Sequence, residues 1–169
     1  MMKPADEQLW SWVAEVSDPE IPVLSITDLG IVRAIDWHDG QCEVTITPTY
    51  SGCPAMQVIE DNIKSALQQH GVAAAVRTVL SPAWTTDWIT DNGRSKLQAY
   101  GIAPPAGKAP GTAQAINASA LFARNDEPIT CPQCGSLQTR LVSQFGSTAC
   151  KALYRCTDCL EPFDYFKPH

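Results

Sequence analysis

QCEVTITPTYSGCPAMQVIEDNIKSALQQ (residues 41–69) joins a strand pattern to a helix pattern through one short loop. Gln41 to Thr47 alternate between apolar and polar side chains, which is typical of a half-buried strand. Ala55 to Gln69 carry apolar side chains at helical spacing, and Gly71 follows as a C-terminal stop. The buried side of this helix is predicted to contain Met56, Ile59, Ile63, Ala66 and Leu67. A strand that leads into an amphipathic helix predicts a helix packed on a sheet.

Further elements are predicted on both sides of this stretch. Ile31 to Trp37 precedes it and should pair with the strand as a hairpin. Asp6 to Val16 has the apolar spacing of a helix, and Ala73 to Leu80 that of a third strand. The order helix–strand–strand–helix–strand predicts a small α+β domain with its helices on one sheet face. Another helix is expected over Asp91 to Tyr100.

The loop Thr49 to Ala55 contains a cysteine in a special place. Pro54 suits the first position of a helix, so Cys53 is predicted at the N-cap. There, unpaired backbone N–H groups and the positive end of the helix dipole favour a thiolate, which attacks electrophiles and ligates soft metals. The alternative is a buried cysteine that acts as a small apolar side chain. Local sequence leaves both open.

Composition and charge limit the function classes. The 169 residues are 44% hydrophobic and 18% charged, as in globular proteins. Net charge is −6: residues 1–127 hold 15 acidic and 8 basic side chains, and residues 128–169 hold 3 and 4. The acidic body argues against nucleic acid as a partner. No apolar run is long enough for a membrane helix and no signal-peptide core is seen, so we expect a cytoplasmic protein with reduced cysteines.

Residues 103–127 change in composition. Thirteen of these 25 residues are Ala, Pro or Gly, which is typical of a linker. The sequence therefore predicts an N-terminal domain over 1–102 and a separate C-terminal module over 128–169.

The C-terminal module carries two Cys-x-x-Cys pairs: Cys131 with Cys134, and Cys156 with Cys159. Four thiolates satisfy a tetrahedral Zn²⁺, and this spacing predicts a zinc ribbon. About 40 residues cannot bury enough apolar surface to fold alone, so a structural metal should supply the missing stability. Zinc is favoured, although four thiolates also suit iron.

A hairpin of Thr139 to Ser143 with Ala152 to Arg155 should connect the two pairs. Two other cysteines need an explanation. Cys42 lies on the inward side of its strand and is predicted to fill the core. Cys150 is either a packed or exposed free cysteine or a reactive thiol activated by Lys151.

Two blocks resemble a known family. DPEIPVLSITDLGIV (18–32) and TPTYSGCPA (47–55) are similar to the metal–sulfur-cluster biosynthesis domain, a family that includes bacterial SufT. SPAWTTDW (81–88), YGIAPPAG (100–107) and SQFGSTACKALYRCTDCLEPFDYF (143–166) resemble the PaaD family, whose members are encoded with the subunits of phenylacetyl-CoA epoxidase.

The resemblance implies an accessory factor in phenylacetate catabolism that assembles or delivers an iron–sulfur cluster. It implies the epoxidase subunits as partners, especially the ferredoxin-type iron–sulfur reductase, together with an upstream cluster carrier. Carried over by position, Cys53 matches the family's reactive cysteine, and Asp18 and Glu20 match its acidic motif. The zinc ribbon is an addition that simpler members lack.

The chemistry of clusters limits what Cys53 can do. A cluster needs four ligands, mostly thiolates, so one cysteine cannot hold it alone. The other ligands would come from a second chain, from Asp18 and Glu20, or from thiols of a carrier or client. This favours transient handover by an assembly factor that is not an enzyme, and the competing reading is a zinc-ribbon adaptor that docks on the epoxidase and stabilises it without cluster chemistry.

Overall fold

The computed structural model describes residues 3–38, 40–50, 52–106 and 129–168. The described residues fall into two compact units, the first ending at Leu97 and the second beginning at Gln98. The elements are α1 (Asp6–Ala14), β1 (Val32–His38), β2 (Gln41–Ile46), α2 (Ala55–Gln69), β3 (Ala74–Thr78), α3 (Asp91–Tyr100), β4 (Ile102–Ala103), β5 (Thr139–Ser143), β6 (Lys151–Cys156) and β7 (Pro162–Phe166), with a short 3-10 helix at Thr86–Trp88.

The first unit is built on a three-stranded sheet in the order β1-β2-β3. β1 and β2 form the predicted antiparallel hairpin, and α2 connects β2 to β3, which runs parallel to β2. Ile59, Ile63 and Leu67 of α2 are fully buried because apolar side chains recur on one face of that helix. The predicted α+β class and its order of elements are confirmed.

α1 ends two residues before the predicted Val16. The Val16 N–H donates to the carbonyl of Val13, and the Val16 carbonyl accepts from the Ile26 N–H. The chain has thus left the helix at this point, and it next forms a bridge between Ser17 and Ser25. This bridge closes the loop that contains the acidic motif.

Trp84 and Trp88 close one side of the first unit. Trp84 is buried, and its indole Nε1 donates to the Leu29 carbonyl at 2.9 Å, as a buried indole N–H requires a partner. Trp88 is half-buried, and the guanidinium of Arg33 lies 3.4 Å from its ring centroid. These tryptophans stabilise the start of β1.

The second unit contains a four-stranded sheet in the order β4-β7-β6-β5. β6 pairs antiparallel with both β5 and β7, and β4 adds a parallel edge to β7. The β5–β6 hairpin is the one predicted, whereas β7 and β4 were not anticipated. The core of the second unit consists of Ala103, Ile129, Cys131, Ala152, Cys156, Phe163 and Tyr165.

Most of the predicted linker, from residue 107 to 127, lies outside the described residues, so the boundaries 1–102 and 128–169 stay predictions. Within the described part of the chain, no helix is both long and apolar enough to cross a membrane.

Candidate metal centre and thiol loop

The four ribbon cysteines meet at one point of the second unit. The sulfurs of Cys131, Cys134, Cys156 and Cys159 all lie within 4.8 Å of one another. The Cys131 and Cys159 sulfurs are 3.7 Å apart, and those of Cys134 and Cys156 are 3.6 Å apart. A tetrahedron with metal–sulfur bonds of about 2.3 Å has edges of about 3.8 Å. The four thiols therefore fit a single tetrahedral ion, since a multi-iron cluster would hold them apart by its own width.

Two turns with the same backbone pattern present these sulfurs. The Cys131 N–H donates to the Ser136 carbonyl at 2.9 Å, and the Cys156 N–H donates to the Glu161 carbonyl at 3.0 Å. The fifth residue of each turn has a left-handed backbone. It is Gly135 (φ +75°) in the first turn and Leu160 (φ +66°) in the second. Glycine adopts this conformation freely, whereas it costs another L-residue about 1–2 kcal/mol.

The thiols of the centre do not ionise alike. Backbone N–H groups of Cys159 and Asp158 lower the pKa of Cys156 to about 7. A backbone N–H of Glu161 lowers the pKa of Cys159. Burial and the neighbouring thiols outweigh this effect and raise the pKa of Cys159 to about 12. Four thiolates this close repel one another, so a cation must balance them.

Cys53 lies in a tight turn before α2. Its N–H donates to the Tyr50 carbonyl at 3.2 Å, and its carbonyl accepts from the Met56 N–H at 3.3 Å. Pro54 already has helical angles (φ −68°, ψ −20°) and is itself the N-cap, so the prediction that Cys53 is the N-cap is wrong by one residue. The cysteine is partly exposed and lies just outside the helix.

Thr47 precedes this loop at the end of β2. Its hydroxyl is buried and has no hydrogen-bond partner among the described residues. Its backbone N–H donates to the Ile31 carbonyl, which joins the two strands where they leave the sheet. The hydrogen bond between Thr47 and Ile31 therefore anchors the start of the loop that contains Cys53.

Asp18 and Glu20 occupy the loop after α1. Asp18 is buried, and its Oδ1 accepts from the backbone N–H groups of Glu20 and Ile21, both at 2.8 Å. The carboxylate of Asp18 thus shapes its own turn.

Within the described ranges, the ribbon cysteines are the only group of three or more His, Cys, Asp or Glu side chains with converging ligand atoms. No three-ligand site forms from Cys53, Asp18 and Glu20, and their role in cluster handling stays a prediction.

Comparison with known proteins matches both units. Residues 6–81 match the family model of iron–sulfur cluster assembly proteins, and residues 117–167 match the PaaD zinc beta ribbon domain. Over 165 residues the chain is 46% identical to a protein of Escherichia coli (strain K12) that is named as a putative subunit of 1,2-phenylacetyl-CoA epoxidase, covering 97% of this chain and 93% of that protein. The chain belongs to the PaaD family.

Two further relatives of this PaaD-family chain match its first unit. The Fe-S protein maturation auxiliary factor YitW of Bacillus subtilis (strain 168) is 36% identical over 84 residues, 48% of this chain and 81% of that protein. A crystal structure of a DUF59 domain of unknown function from Bacillus anthracis superposes with a TM-score of 0.51 at 25% identity, covering 54% of this chain and 90% of that one. The first unit therefore has the DUF59 fold, and the ribbon follows it along the chain.

The sequence did not reveal the polar network around Asp28. This buried carboxylate accepts from Lys96 Nζ at 2.6 Å, Asn92 Nδ2 at 2.9 Å and Thr90 Oγ1 at 3.2 Å. Burial raises the pKa of Asp28, but the hydrogen bonds and charge of Lys96, with the other donors, outweigh it and lower the pKa overall. Asp28 lies within the block 18–32 that carries the family resemblance, but nothing in that block singled out its carboxylate.

The remaining cysteines are packed. Cys42 is fully buried, as predicted, and burial followed by the charge of Asp36 raises the pKa of its thiol. Cys150 is buried with its sulfur 3.0 Å from the Thr148 hydroxyl. The ammonium of Lys151 lies 3.7 Å from the carboxylate of Asp164, so this lysine is already paired. The geometry favours the packed alternative for Cys150.

Proposed function

We propose that this protein is an accessory factor in phenylacetate catabolism that assembles or delivers an iron–sulfur cluster to the phenylacetyl-CoA epoxidase system, with the ferredoxin-type reductase subunit as its client. One observation carries the proposal. Cys53 is a partly exposed thiol, outside any three-ligand group of the described residues, in the unit that matches iron–sulfur assembly proteins. The E. coli relative's name supports the pathway.

Handover follows from the number of ligands. Cys53 supplies one thiolate to the cargo, and the other positions on the cluster are filled by the carrier, a second chain or the client. Each client thiol that binds loses its proton, and Cys53 regains one when it is released, so the exchange is a ligand substitution without a change of oxidation state. A client with more thiolates holds the cluster more tightly, which makes transfer favourable.

Asp18 and Glu20 have different parts in this proposal. Asp18 is a positioning residue because its carboxylate is bonded to the backbone of the loop. Glu20, half-buried in the same loop, is the carboxylate that would meet the cargo. The ribbon would hold a structural Zn²⁺ through Cys131, Cys134, Cys156 and Cys159.

A second candidate is an adaptor that docks on the epoxidase through the ribbon. It is favoured by the large apolar side chains that the ribbon exposes, among them Leu137, Val142, Phe145 and Leu160. An adaptor stabilises the complex and leaves the cluster untouched.

The iron bound to the purified reductase separates the two candidates. We expect reductase from cells that lack this protein to contain little cluster, while the reductase still binds the other epoxidase subunits. A full cluster together with a dissociated complex would favour the adaptor and contradict cluster delivery.

A further inference from the structure

Leu160 is in a backbone conformation that its side chain does not favour. It stands where the matching turn has Gly135, and both residues have positive φ. In the part of the chain that the structure describes, no other non-glycine residue has a positive φ. Its side chain is 60% exposed, so burial within the chain does not compensate for the strain. Glycine would serve the turn better, which indicates that the leucine side chain has another use.

Arg155 lies beside Leu160, and Arg140 lies across from Arg155 on the neighbouring strand. Arg140 of β5 and Arg155 of β6 are directly opposite in the antiparallel register, so their side chains leave the same face of the sheet. Arg155 Nε donates to the Leu160 carbonyl at 3.1 Å, which joins the arginine pair to the strained turn. Pro162, the partner of Arg155 on β7, extends the same face and is exposed.

Neither arginine of this pair forms an ion pair among the described residues. Like charges directly opposite across two strands repel each other. No described carboxylate forms an ion pair with Arg140 or Arg155, and the described ion pair of the ribbon joins Lys151 to Asp164. The arginine–leucine surface, formed by Arg140, Arg155, Leu160 and Pro162, therefore presents two arginines without an ion-pair partner beside apolar side chains, with the exposed Glu161 between Leu160 and Pro162.

We propose that the arginine–leucine surface docks a segment of another protein that carries a carboxylate next to a large apolar side chain. The carboxylate would lie between the two guanidinium groups and relieve their repulsion, as bidentate arginine contacts to carboxylates do. The apolar side chain would cover Leu160 and remove it from water. The surface thus recognises a carboxylate and an apolar side chain of the same segment. This docking does not depend on cluster transfer by Cys53.

The observations favour a different protein over the other occupants. Nucleic acid would meet arginines here, but the chain carries a net charge of −6, and an exposed leucine has no counterpart on a phosphate backbone. Two copies of so acidic a chain repel each other, which disfavours a self-complex.

A random 12-residue peptide library, displayed on phage and selected on the full metal-loaded chain, tests the proposal. We expect enriched peptides to share a carboxylate next to a large apolar residue. Calorimetry on one such peptide should give a dissociation constant at least tenfold higher for Arg140→Glu and for Leu160→Gly. Lys64→Glu, an equal charge reversal on α2, and Leu80→Gly, an equal loss of an exposed leucine, should bind like the wild type.

The stability of Leu160→Gly separates docking from a structural role. We expect its metal content to stay unchanged and its melting temperature not to fall, since glycine suits a positive φ. A fall of more than about 5 °C would show that the leucine supports the fold and would overturn the proposal.

Any of four binding results would also overturn the proposal. These are a selection without enrichment, enriched peptides without acidic residues, equal losses in the control variants, and a preference for a single-stranded DNA 20-mer. A dimer in sedimentation that dissociates on Arg140→Glu would assign the surface to self-association and likewise contradict the proposal.

Discussion

Asp28 holds the loop before β1 to α3 through three side-chain donors. Its pKa is lowered in the folded protein from 3.8, so its contribution to stability is complete well above pH 3.8 and is lost as the pH falls through the folded value. We expect Asp28→Asn to lower the free energy of unfolding by about 1–3 kcal/mol at pH 7, because Lys96 loses its partner. Urea titrations at pH 7 and pH 3 measure it.

The difference between Asp28→Asn and the wild type should shrink at pH 3, below the ordinary pKa of 3.8, because the unfolded wild-type chain there takes up a proton that the folded carboxylate resists. Asp36→Asn, which removes an exposed carboxylate of β1, is the control and should change stability by less than about 0.5 kcal/mol. An undiminished difference at pH 3 would assign the effect to packing and not to charge.

Gly30 is a glycine packed closely against Trp88. It has φ +69°, and a Cβ there would lie 2.7 Å from the Cβ of Trp88 and overlap the Trp88 carbonyl. We expect Gly30→Ala to destabilise the protein by more than about 2 kcal/mol. Gly71→Ala shares the positive φ (+73°) but meets no atom within 4 Å, so thermal unfolding of the two variants separates collision from backbone strain. Equal losses would mean that strain alone matters.

Among the elements, the ribbon strands are the ones that we expect to depend on a bound metal. The small core of the second unit packs around two of the metal-site cysteines, Cys131 and Cys156. We expect a strong chelator to remove the strand signals of β5 to β7 from amide NMR spectra, while those of β1 to β3 remain. Metal returned after chelation should restore them. Strands β5 to β7 that survive complete metal removal would contradict a structural role for the ion.

The elements with strong local patterns were predictable from the sequence. α2 was predicted with its observed bounds because its apolar stripe is regular and Gly71 ends it. β7 was missed because Pro162 and Asp164 weaken a strand pattern that Phe163 and Tyr165 otherwise provide. β4 has two residues and exists only through its pairing with β7. A strand made by a distant partner leaves no local signal.

The candidate site was predictable to a similar degree. The spacing of the ribbon cysteines fixed their grouping in advance, because four thiols in two pairs have few other uses. The N-cap of α2 was predicted one residue too early, at Cys53, because Pro54 is itself the N-cap. The Asp28 network joins residues 62 to 68 positions apart, and such contacts follow from the tertiary fold and not from periodicity.

At the scale of the whole molecule, the chain combines a DUF59 unit that offers one partly exposed thiol with a ribbon that holds four. The two thiol sets suit different tasks. Four converging thiols retain an ion, whereas a single thiol binds cargo weakly enough to release it. On the proposed function, Cys53 is therefore the thiol that carries the cluster, with Asp18 and Glu20 in supporting roles, while the ribbon retains its ion.

The role of Cys53 can be tested on epoxidase reductase purified from cells that carry Cys53→Ala in place of the wild-type protein. The measurement is the iron content of the purified reductase. We expect the iron per reductase to fall to the level found in cells without this protein, while the variant keeps its melting temperature. Cys150→Ala, which removes a packed thiol, should leave the iron content at the wild-type level. A fully loaded reductase in cells with Cys53→Ala would contradict cluster delivery by Cys53.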